Sequence, residues 1–442
     1  MMATPAAAIP GTERHSFLRK WADSRAVTDR LFEIVQPQAL YDRPIPERHR
    51  IVFYIGHLEA FDWNLLAPVL GLESRQPDLD RLFAFGIDPV GGGLPTDQPS
   101  DWPRMEEVRR YATGVRQALD ARLNKHGLDV TDSVRLHVAL EHRLMHAETL
   151  AYMFHQLALD RKVAQPGSRA LAAPSVKPRM IEIPAGKATL GRPRPRPGEE
   201  TAESFGWDNE FEAHTVDVPP FAIDAYNVTN GQFLDFMRAG GYGERSLWTE
   251  ADWDWVRSEG VSHPRFWVEK AGHWHYRNMF AEEPLSLDWP AYVSQAEASA
   301  YARWVGRRLP TEAEFHRAAY DSPAGEREYP WGAEPPAERY GNFDFRHWNP
   351  VPVGSSPAGR SAAGVEDLVG NGWEWTSSVF EPFPGFQPYS FYPGYSANFF
   401  DGKHYVMKGG SSRTAACMLR RSFRNWFQPH YPFVYAAFRC VT

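Results

Sequence analysis

The fold of the N-terminal part of the chain is decided by residues 131–159, TDSVRLHVALEHRLMHAETLAYMFHQLAL. Apolar side chains recur in this stretch at spacings of three and four residues, which is the period of an α-helix that buries one face. Either Thr131 or Asp132 is suited to cap its N-terminus. We therefore expect one long helix here, packed against other helices.

Three upstream segments show the same periodicity, and it predicts helices from Glu13 to Val35, from Glu47 to Leu70 and from Arg104 to Lys125. Four amphipathic helices make a bundle, and the interior of a bundle can hold a metal site built from facing side chains.

The sequence changes character after the last of these helices. Residues 161–180 are rich in Pro, Ala and Ser, as a linker is, and short β-like runs then alternate with Gly/Pro turns and a few helices. We predict a mobile tail over 1–12, a helical bundle over 13–160, a linker over 161–180 and an α+β domain over 181–442.

Composition excludes several classes of protein. The 442 residues are 43% hydrophobic and 23% charged, and they contain no apolar run near the roughly 20 residues that a membrane helix needs. The N-terminus does not have the pattern of a signal peptide, so we expect a cytoplasmic protein. Two cysteines, Cys417 and Cys440, are too few for a disulfide framework or a thiolate metal site. The net charge of −7 gives no basic surface for nucleic acid.

Three histidines form a candidate metal site. His142 and His146 are four residues apart, so a helix places them on one face, one turn apart. Such a pair also occurs by chance on helices, and His57, in the apolar segment GHLEAFDWNLL, could be a core histidine bonded to a carbonyl. The combination favours a metal site, because bundles build interior sites from histidines on facing helices. Glu148 and His137 lie off this face, and Glu148 is more suited to support the site than to bind the metal.

Motifs in both halves resemble a known family. The pattern of His142, His146 and Glu148, with Gly-His upstream, resembles the DinB-type bundle of ergothioneine sulfoxide synthases. The C-terminal half resembles the formylglycine-generating-enzyme-like domain, a C-type-lectin-related fold, that is fused to that bundle. The matching C-terminal motifs are FGWDNE (205–210), GRRLPTEAEFHRAA (306–319), GNGWEWTSS (370–378), YPGYS (392–396), HYVMKGGS (404–411) and SFRNW (422–426).

The resemblance implies an Fe(II) site formed by His57, His142 and His146, at which hercynine (trimethylhistidine), a chalcogen nucleophile and O2 meet. The expected reaction is oxidative coupling at C2 of the hercynine imidazole. The resemblance also implies a tyrosine that supplies a proton or an electron. The candidates in FQPYSFYPGYSANFF are Tyr389, Tyr392 and Tyr395, although ordinary aromatic packing would explain them as well.

Asn425 and Trp426, in SFRNW, match the positions at which the family contacts hercynine. An asparagine can donate a hydrogen bond to the substrate carboxylate, and an aromatic face attracts a quaternary ammonium group. The two tryptophans of GNGWEWTSS, Trp373 and Trp375, are expected to belong to the core of the fold.

The segment after the second helix departs from the family. Sulfoxide synthases are typically arginine-rich there, which suits the carboxylates of cysteine or γ-glutamylcysteine. Here residues 85–104 are FGIDPVGGGLPTDQPSDWPR. Asp97, Asp101 and Trp102 would suit a neutral sugar, so we predict the selenoneine synthase branch of the family, which joins a selenosugar to hercynine. A sulfoxide synthase with a different thiol pocket is the alternative, in which case this acidic loop is solvated surface.

Two other functional classes are weaker. Formylglycine generation needs a local pair of cysteines, whereas Cys417 and Cys440 are separated by 22 residues. A lectin-like binding protein would need no metal, and three intact histidines argue against it.

Overall fold

The structure is a computed structural model that describes residues 11–84, 94–125, 130–165, 176–196, 201 and 203–442, with the side chains of residues 11–14 and 130–132 left out. The chain divides into two compact units. Unit 1 comprises Met1–Gln165 and Pro195–Phe205, and unit 2 comprises Pro166–Arg194 and Gly206–Thr442. Residues 1–10 of the predicted tail and residues 166–175 of the predicted linker lie outside the described residues, so the predicted domain boundaries stay a proposal.

Unit 1 is a helical bundle, as predicted. Four of its helices correspond to the four predicted segments, and the short helix α3 was not predicted. The described helices are α1 Gly11–Glu33, α2 Ile51–Leu66, α3 Pro77–Leu82, α4 Met105–Lys125 and α5 Val130–His155.

Helix α2 lies at the centre of the bundle and packs against both α4 and α5. It is apolar enough to be buried on nearly all sides, yet it also buries the acids Glu59 and Asp62. A buried carboxylate needs a positive partner. Arg143 on α5 supplies it, donating to Asp62 Oδ2 at 2.5 Å and to Glu59 Oε1 at 3.0 Å. These ion pairs join α2 to α5, the two helices that carry the three histidines.

Unit 2 is an α+β domain with short elements. Its strands are β1 Met180–Ile183, β2 Gly186–Leu190, β3 His214–Val218, β4 Phe221–Asp224, β5 Trp267–Lys270, β6 His273–Arg277, β7 Glu282–Pro284, β8 Gly372–Val379, β9 Tyr405–Gly410, β10 Asn425–Phe427 and β11 Ala436–Ala437. Its α-helices are α6 Asn230–Arg238, α7 Glu250–Ser258, α8 Gln295–Trp304, α9 Glu312–Tyr320 and α10 Gly394–Ala397.

The largest sheet has the order β10-β9-β8-β11, with β11 parallel to β8 and the other pairs antiparallel. Its central strand β8 carries Trp373 and Trp375, which are both buried, so their predicted core role is confirmed. Gly409 in β9 has a φ of 92°, and a Cβ there would lie 2.5 Å from the carbonyl oxygen of Leu368. The sheet can approach that loop only because this position is glycine.

Local sequence sets the ends of two helices in this unit. At α8, Ser294 and Glu297 cap each other's backbone N–H, and at α9 Thr311 and Glu314 do the same. This reciprocal arrangement satisfies two backbone donors that a helix start would leave unpaired. It fixes helix α9 within the motif GRRLPTEAEFHRAA, where Phe315 packs into the core with Ile183 and Phe221.

The two units together give the predicted order of a helical bundle followed by an α+β domain. Within the described part of the chain, no helix combines the length and the apolar character that crossing a membrane requires.

Candidate metal centre

Helices α2 and α5 bring the three predicted histidines together inside unit 1. His57, His142 and His146 are 4%, 5% and 5% exposed. One ring nitrogen from each lies within 4.8 Å of the other two. The Nε2 atoms of His57 and His146 are 3.2 Å apart. Three buried imidazoles that converge in this way form a potential metal site.

The ring of His57 has a defined orientation. Its Nδ1 lies 2.7 Å from the carbonyl oxygen of Phe83, the residue that follows α3. Because a carbonyl can only accept a hydrogen bond, Nδ1 carries the proton and Nε2 carries the free lone pair. The lone pair therefore faces the other two histidines. On one side the ring stacks on Phe53, with the ring centroids 4.8 Å apart.

The two histidines of α5 are held by aromatic contacts. The ring of His142 lies flat on Phe61, with the centroids 3.4 Å apart, and the ring of His146 is 5.8 Å from that of Tyr54. The Nδ1 atoms of both histidines are buried without a hydrogen-bond partner. Aromatic packing thus holds both rings in place, and the nitrogen of His146 that faces His57 is Nε2.

Burial keeps all three imidazoles neutral. It lowers the pKa of His57 to about 4, although the bond to Phe83 opposes the shift. Burial, together with the mutual repulsion of the charged rings, lowers the pKa of His142 well below its usual value, and burial has the same effect on His146. Neutral imidazole is the form that binds a metal.

The donor set fits iron. Imidazole nitrogen suits Fe, Zn, Cu and Ni, and three ligands leave coordination positions open for substrates. Within the described residues, the cluster contains no carboxylate. Glu148 is buried but is not a member of it, and His137 on the same helix turns away, with Nδ1 2.8 Å from the carbonyl oxygen of Ser133. Both placements agree with the sequence prediction.

The donor segment, residues 85–104, is the stretch after the second predicted helix that we expect to bind the donor substrate. The structure describes only part of it. Residues 85–93, which include Asp88 and four glycines, lie outside the described residues. Asp97 forms ion pairs with Arg43 and Arg50, and its Oδ2 accepts a 2.7 Å hydrogen bond from the indole N–H of Trp102. Burial alone would raise the pKa of Asp97, but the Trp102 bond and the two arginines outweigh it, and the pKa is lowered.

The structure shows how Asp97 is held, and its contact with a sugar stays a prediction. The sequence predicts that Asp97 accepts hydrogen bonds from the hydroxyl groups of a neutral sugar. In the structure two guanidinium groups compensate its charge and both of its oxygens are engaged. Asp101 likewise has a local role, because its Oδ2 accepts a 2.7 Å bond from the backbone N–H of Gln98. Both acids stabilise the segment itself.

Trp102 extends an aromatic cluster to the metal centre. Its ring is 5.8 Å from Phe53, which stacks on His57, and it is stacked 6.1 Å from Phe83. The bond to Asp97 thus fixes a tryptophan that is separated from His57 by one side chain, that of Phe53. The role of Trp102 toward a donor substrate stays a prediction.

The three predicted tyrosines lie in unit 2 and differ in their contacts. Tyr389 donates a hydrogen bond to the carbonyl oxygen of Gly206, and burial raises its pKa. Tyr395 stacks on Trp207, with the centroids 3.9 Å apart, and Tyr392 is 5.5 Å from Tyr395. Tyr389 therefore has a structural partner for its hydroxyl, and the catalytic role of any of the three stays a prediction.

Asn425 and Trp426 form part of β10 in unit 2 and are half-buried. The backbone N–H of Trp426 donates to Asn425 Oδ1 at 2.9 Å. Among the described residues, the amide nitrogen of Asn425 has no partner, so it can donate to a ligand. The ring of Trp426 stacks on Phe380, with the centroids 4.1 Å apart. Their contact with hercynine stays a prediction.

Sequence reasoning missed two features of the site. The carbonyl of Phe83 leaves no trace in the sequence, because every residue has one. Arg143 did leave a signal: the acids Glu59 and Asp62 interrupt an apolar helix, and buried acids imply a buried cation.

Comparison with known proteins agrees with this geometry. Residues 20–156 match the DinB superfamily, and residues 168–442 match the sulfatase-modifying factor enzyme 1-like domain. The chain is therefore a DinB-type bundle joined to a domain of that second family, which confirms the predicted fold class. Over 456 residues it is 34% identical to a protein named hercynine oxygenase from Mycolicibacterium thermoresistibile, an alignment that covers 98% of this chain and 95% of that protein. The chain belongs to the hercynine oxygenase family.

Two other relatives align with this chain over a smaller share of their own length. A hercynine oxygenase from Mycobacterium tuberculosis is 42% identical over 243 residues, covering 54% of this chain and 56% of that protein. Ergothioneine biosynthesis protein 1 of Neurospora crassa is 28% identical over 508 residues, covering 95% of this chain and 56% of that protein. The matches span a little over half of these two relatives. They confirm the predicted family, while its selenoneine synthase branch stays a prediction.

Proposed function

We propose that this protein is a non-heme Fe(II) enzyme that uses O2 to couple a chalcogen nucleophile to C2 of the imidazole ring of hercynine. One observation carries the proposal: three buried, neutral histidines converge inside the DinB-type bundle of a chain that belongs to the hercynine oxygenase family.

The electron balance defines what the reaction needs. Joining a C2–H carbon to a chalcogen–H group releases two electrons and two protons, and oxidising the chalcogen to its oxide releases two more electrons. One O2 accepts all four electrons, with one oxygen atom in the product and the other in water. An Fe(II) ion held by His57, His142 and His146 would supply the one-electron chemistry with O2 and open positions for the substrates.

The protein's own groups would hold and orient that ion. Neutral imidazoles leave the full charge of a divalent ion in place. The Phe83 carbonyl fixes His57, and the rings of Phe53 and Phe61 pack against His57 and His142. This apolar packing keeps water from the back of the site and prevents the rings from turning.

We propose that residues of unit 2 bind the substrate hercynine. We propose that the free amide N–H of Asn425 donates to the substrate carboxylate and that the ring of Trp426 faces its quaternary ammonium group. Tyr389, Tyr392 and Tyr395 are the proposed candidates for the group that supplies a proton or an electron, and the hydroxyl of Tyr389 is bonded to the carbonyl oxygen of Gly206.

We propose a selenosugar as the donor, so that the product carries a C–Se bond. The described part of the donor segment supports this choice, because residues 94–104 contain a single arginine, Arg104, whereas several arginines would suit a donor that carries carboxylates. A sulfoxide synthase that uses cysteine or γ-glutamylcysteine is the second candidate. The names of the relatives favour it, since they refer to hercynine oxygenation and ergothioneine biosynthesis. We propose the cytoplasm as the compartment for either reaction.

One assay tests both the reaction and the donor. The protein is loaded with Fe(II) without oxygen, then mixed with hercynine, O2 and equal concentrations of a 1-selenosugar, cysteine and γ-glutamylcysteine. Mass spectrometry should show a hercynine–selenium adduct formed ahead of any sulfoxide. Faster formation of the cysteine or γ-glutamylcysteine sulfoxide would establish the second candidate. With no adduct from any donor, the proposed function would be refuted.

A further inference from the structure

Gly56, the residue before His57, lies in the interior of a buried helix. Glycine is among the poorest helix formers because it loses the most backbone freedom on folding. A Cβ built on Gly56 would lie 2.5 Å from three carbon atoms of the Phe83 ring. The ring therefore rests directly on the backbone of α2, in the space that any other side chain would occupy.

Phe83 contacts two consecutive residues of α2 in different ways. Its ring covers Gly56, and its carbonyl oxygen accepts the 2.7 Å hydrogen bond from His57 Nδ1. Its backbone N–H is bonded to Leu79 at 3.0 Å, and its ring is stacked 5.8 Å from Tyr111. The position of the ring and the position of the carbonyl are thus coupled through one rigid residue.

We propose that Gly56 and Phe83 are the positioning residues of the metal site: Gly56 admits the Phe83 ring, and this contact places the Phe83 carbonyl where it orients His57. A partner on the second nitrogen of a metal-binding histidine fixes its tautomer and ring orientation. With Nδ1 protonated and held by Phe83, His57 can present only Nε2 to an ion. The inference rests on the proposed metal site but is independent of hercynine and of the donor.

The first test needs no variant and no metal. Nitrogen-15 NMR of the metal-free protein at pH 7, with His57→Gln used to assign the signals, reports which nitrogen of His57 carries the proton. We expect the Nδ1–H tautomer, with the proton slow to exchange. The Nε2–H tautomer, or rapid exchange between the two, would overturn the proposal. This result holds whether or not the enzyme acts on hercynine.

The second test uses a matched pair of helix glycines. Gly56→Ala should lower the affinity for Co(II), measured by its visible absorption in competition with a chelator, by roughly 10–100-fold. Gly114→Ala in α4 is the control, since a Cβ there has no atom within 4 Å, and it should bind Co(II) as the unchanged protein does. If Gly56→Ala also binds within twofold, the proposal is wrong.

A double variant identifies the cause. Gly56→Ala combined with Phe83→Leu makes room for the new methyl group while the main-chain carbonyl at residue 83 is retained. We expect this variant to recover a tenfold or larger part of the lost Co(II) affinity, and to fold even if Gly56→Ala alone does not. If the double variant binds no better than Gly56→Ala, the contact between the ring and residue 56 is not what positions His57.

Discussion

Arg143 donates a 2.5 Å hydrogen bond to Asp62, and both side chains are completely buried in unit 1. Arg143 directly follows His142 on α5, and Asp62 lies five residues after His57 on α2. The guanidinium also bonds to Glu59 and to the carbonyl oxygen of Leu58. The same two helices that supply the histidines are therefore joined by a buried ion pair.

Removal of this cation should destabilise the bundle strongly. Arg143→Ala leaves the buried acids without their main partner, and breaking a buried pair in this way costs about 3–5 kcal/mol. Urea unfolding followed by circular dichroism measures the loss. Arg81→Ala, which removes an exposed pair with Asp78, should change stability by less than about 1 kcal/mol. Equal effects of the two variants would contradict the account.

Loss of Asp97 should affect both classes of donor alike. Asp97→Ala removes the carboxylate that binds Arg43, Arg50 and the indole of Trp102, so the anchor of the donor segment is weakened, although both arginines can still donate to the backbone carbonyl oxygen of residue 97. We expect kcat/KM for the selenosugar and for cysteine to fall by a similar factor, with bound iron unchanged. A selective loss for the selenosugar would show that Asp97 contacts the sugar, as the sequence alone had suggested.

Asn425→Ala should weaken the use of hercynine while iron stays bound. Loss of one hydrogen bond to a charged group corresponds to about 1.5–3 kcal/mol, or roughly 10- to 150-fold in kcat/KM. Asn425→Asp keeps the shape but places a negative charge near the substrate carboxylate, so its effect should be larger. An unchanged kcat/KM for hercynine in both variants would remove Asn425 from the site.

Asp208, in unit 2, should make the free energy of unfolding fall as the pH rises, which is the opposite of the usual effect of a carboxylate. Burial raises its pKa to about 6, against the lowering effect of its hydrogen bond from Ser396. Between about pH 4 and 6 the folded state binds this proton more tightly than the unfolded state, so stability falls as pH rises through that window. Above it, the carboxylate costs up to about 3 kcal/mol.

Asp208→Asn removes this charge, so we expect it to raise the free energy of unfolding more at pH 7.5 than at pH 4.5. Urea unfolding at both values measures the difference. Asp217 forms an exposed ion pair with Lys187, so Asp217→Asn should change the free energy of unfolding by a similar amount at both pH values. A gain for Asp208→Asn that is the same at both pH values would contradict the assigned pKa.

Periodic features were predictable from the sequence. The pattern of apolar residues located both ends of α1, α2, α4 and α5 to within four residues. The four-residue spacing of His142 and His146 placed them on one face, and the apolar setting of His57 indicated that it faces inward. Each of these inferences depends on neighbours along the chain or on one turn of a helix.

Long-range contacts were not predictable. The ion pairs of Asp97 could not be predicted, because its partners, Arg43 and Arg50, lie about 50 residues earlier in the chain. The role of Gly56 depends on Phe83, which follows a short helix with no periodic signal. The charge of a short stretch of sequence is therefore a poor guide to the charge of a site, because the compensating groups can come from another part of the fold.

The central claim is that His57, His142 and His146 bind iron, and elemental analysis after anaerobic loading with Fe(II) and desalting tests it most directly. The unchanged protein should retain about one iron per chain, and each of the three single alanine variants should lose most of it. His137→Ala, on the same helix but bonded to Ser133, should retain the metal. Iron that stays bound in all three variants, or is absent from the unchanged protein, would contradict the account.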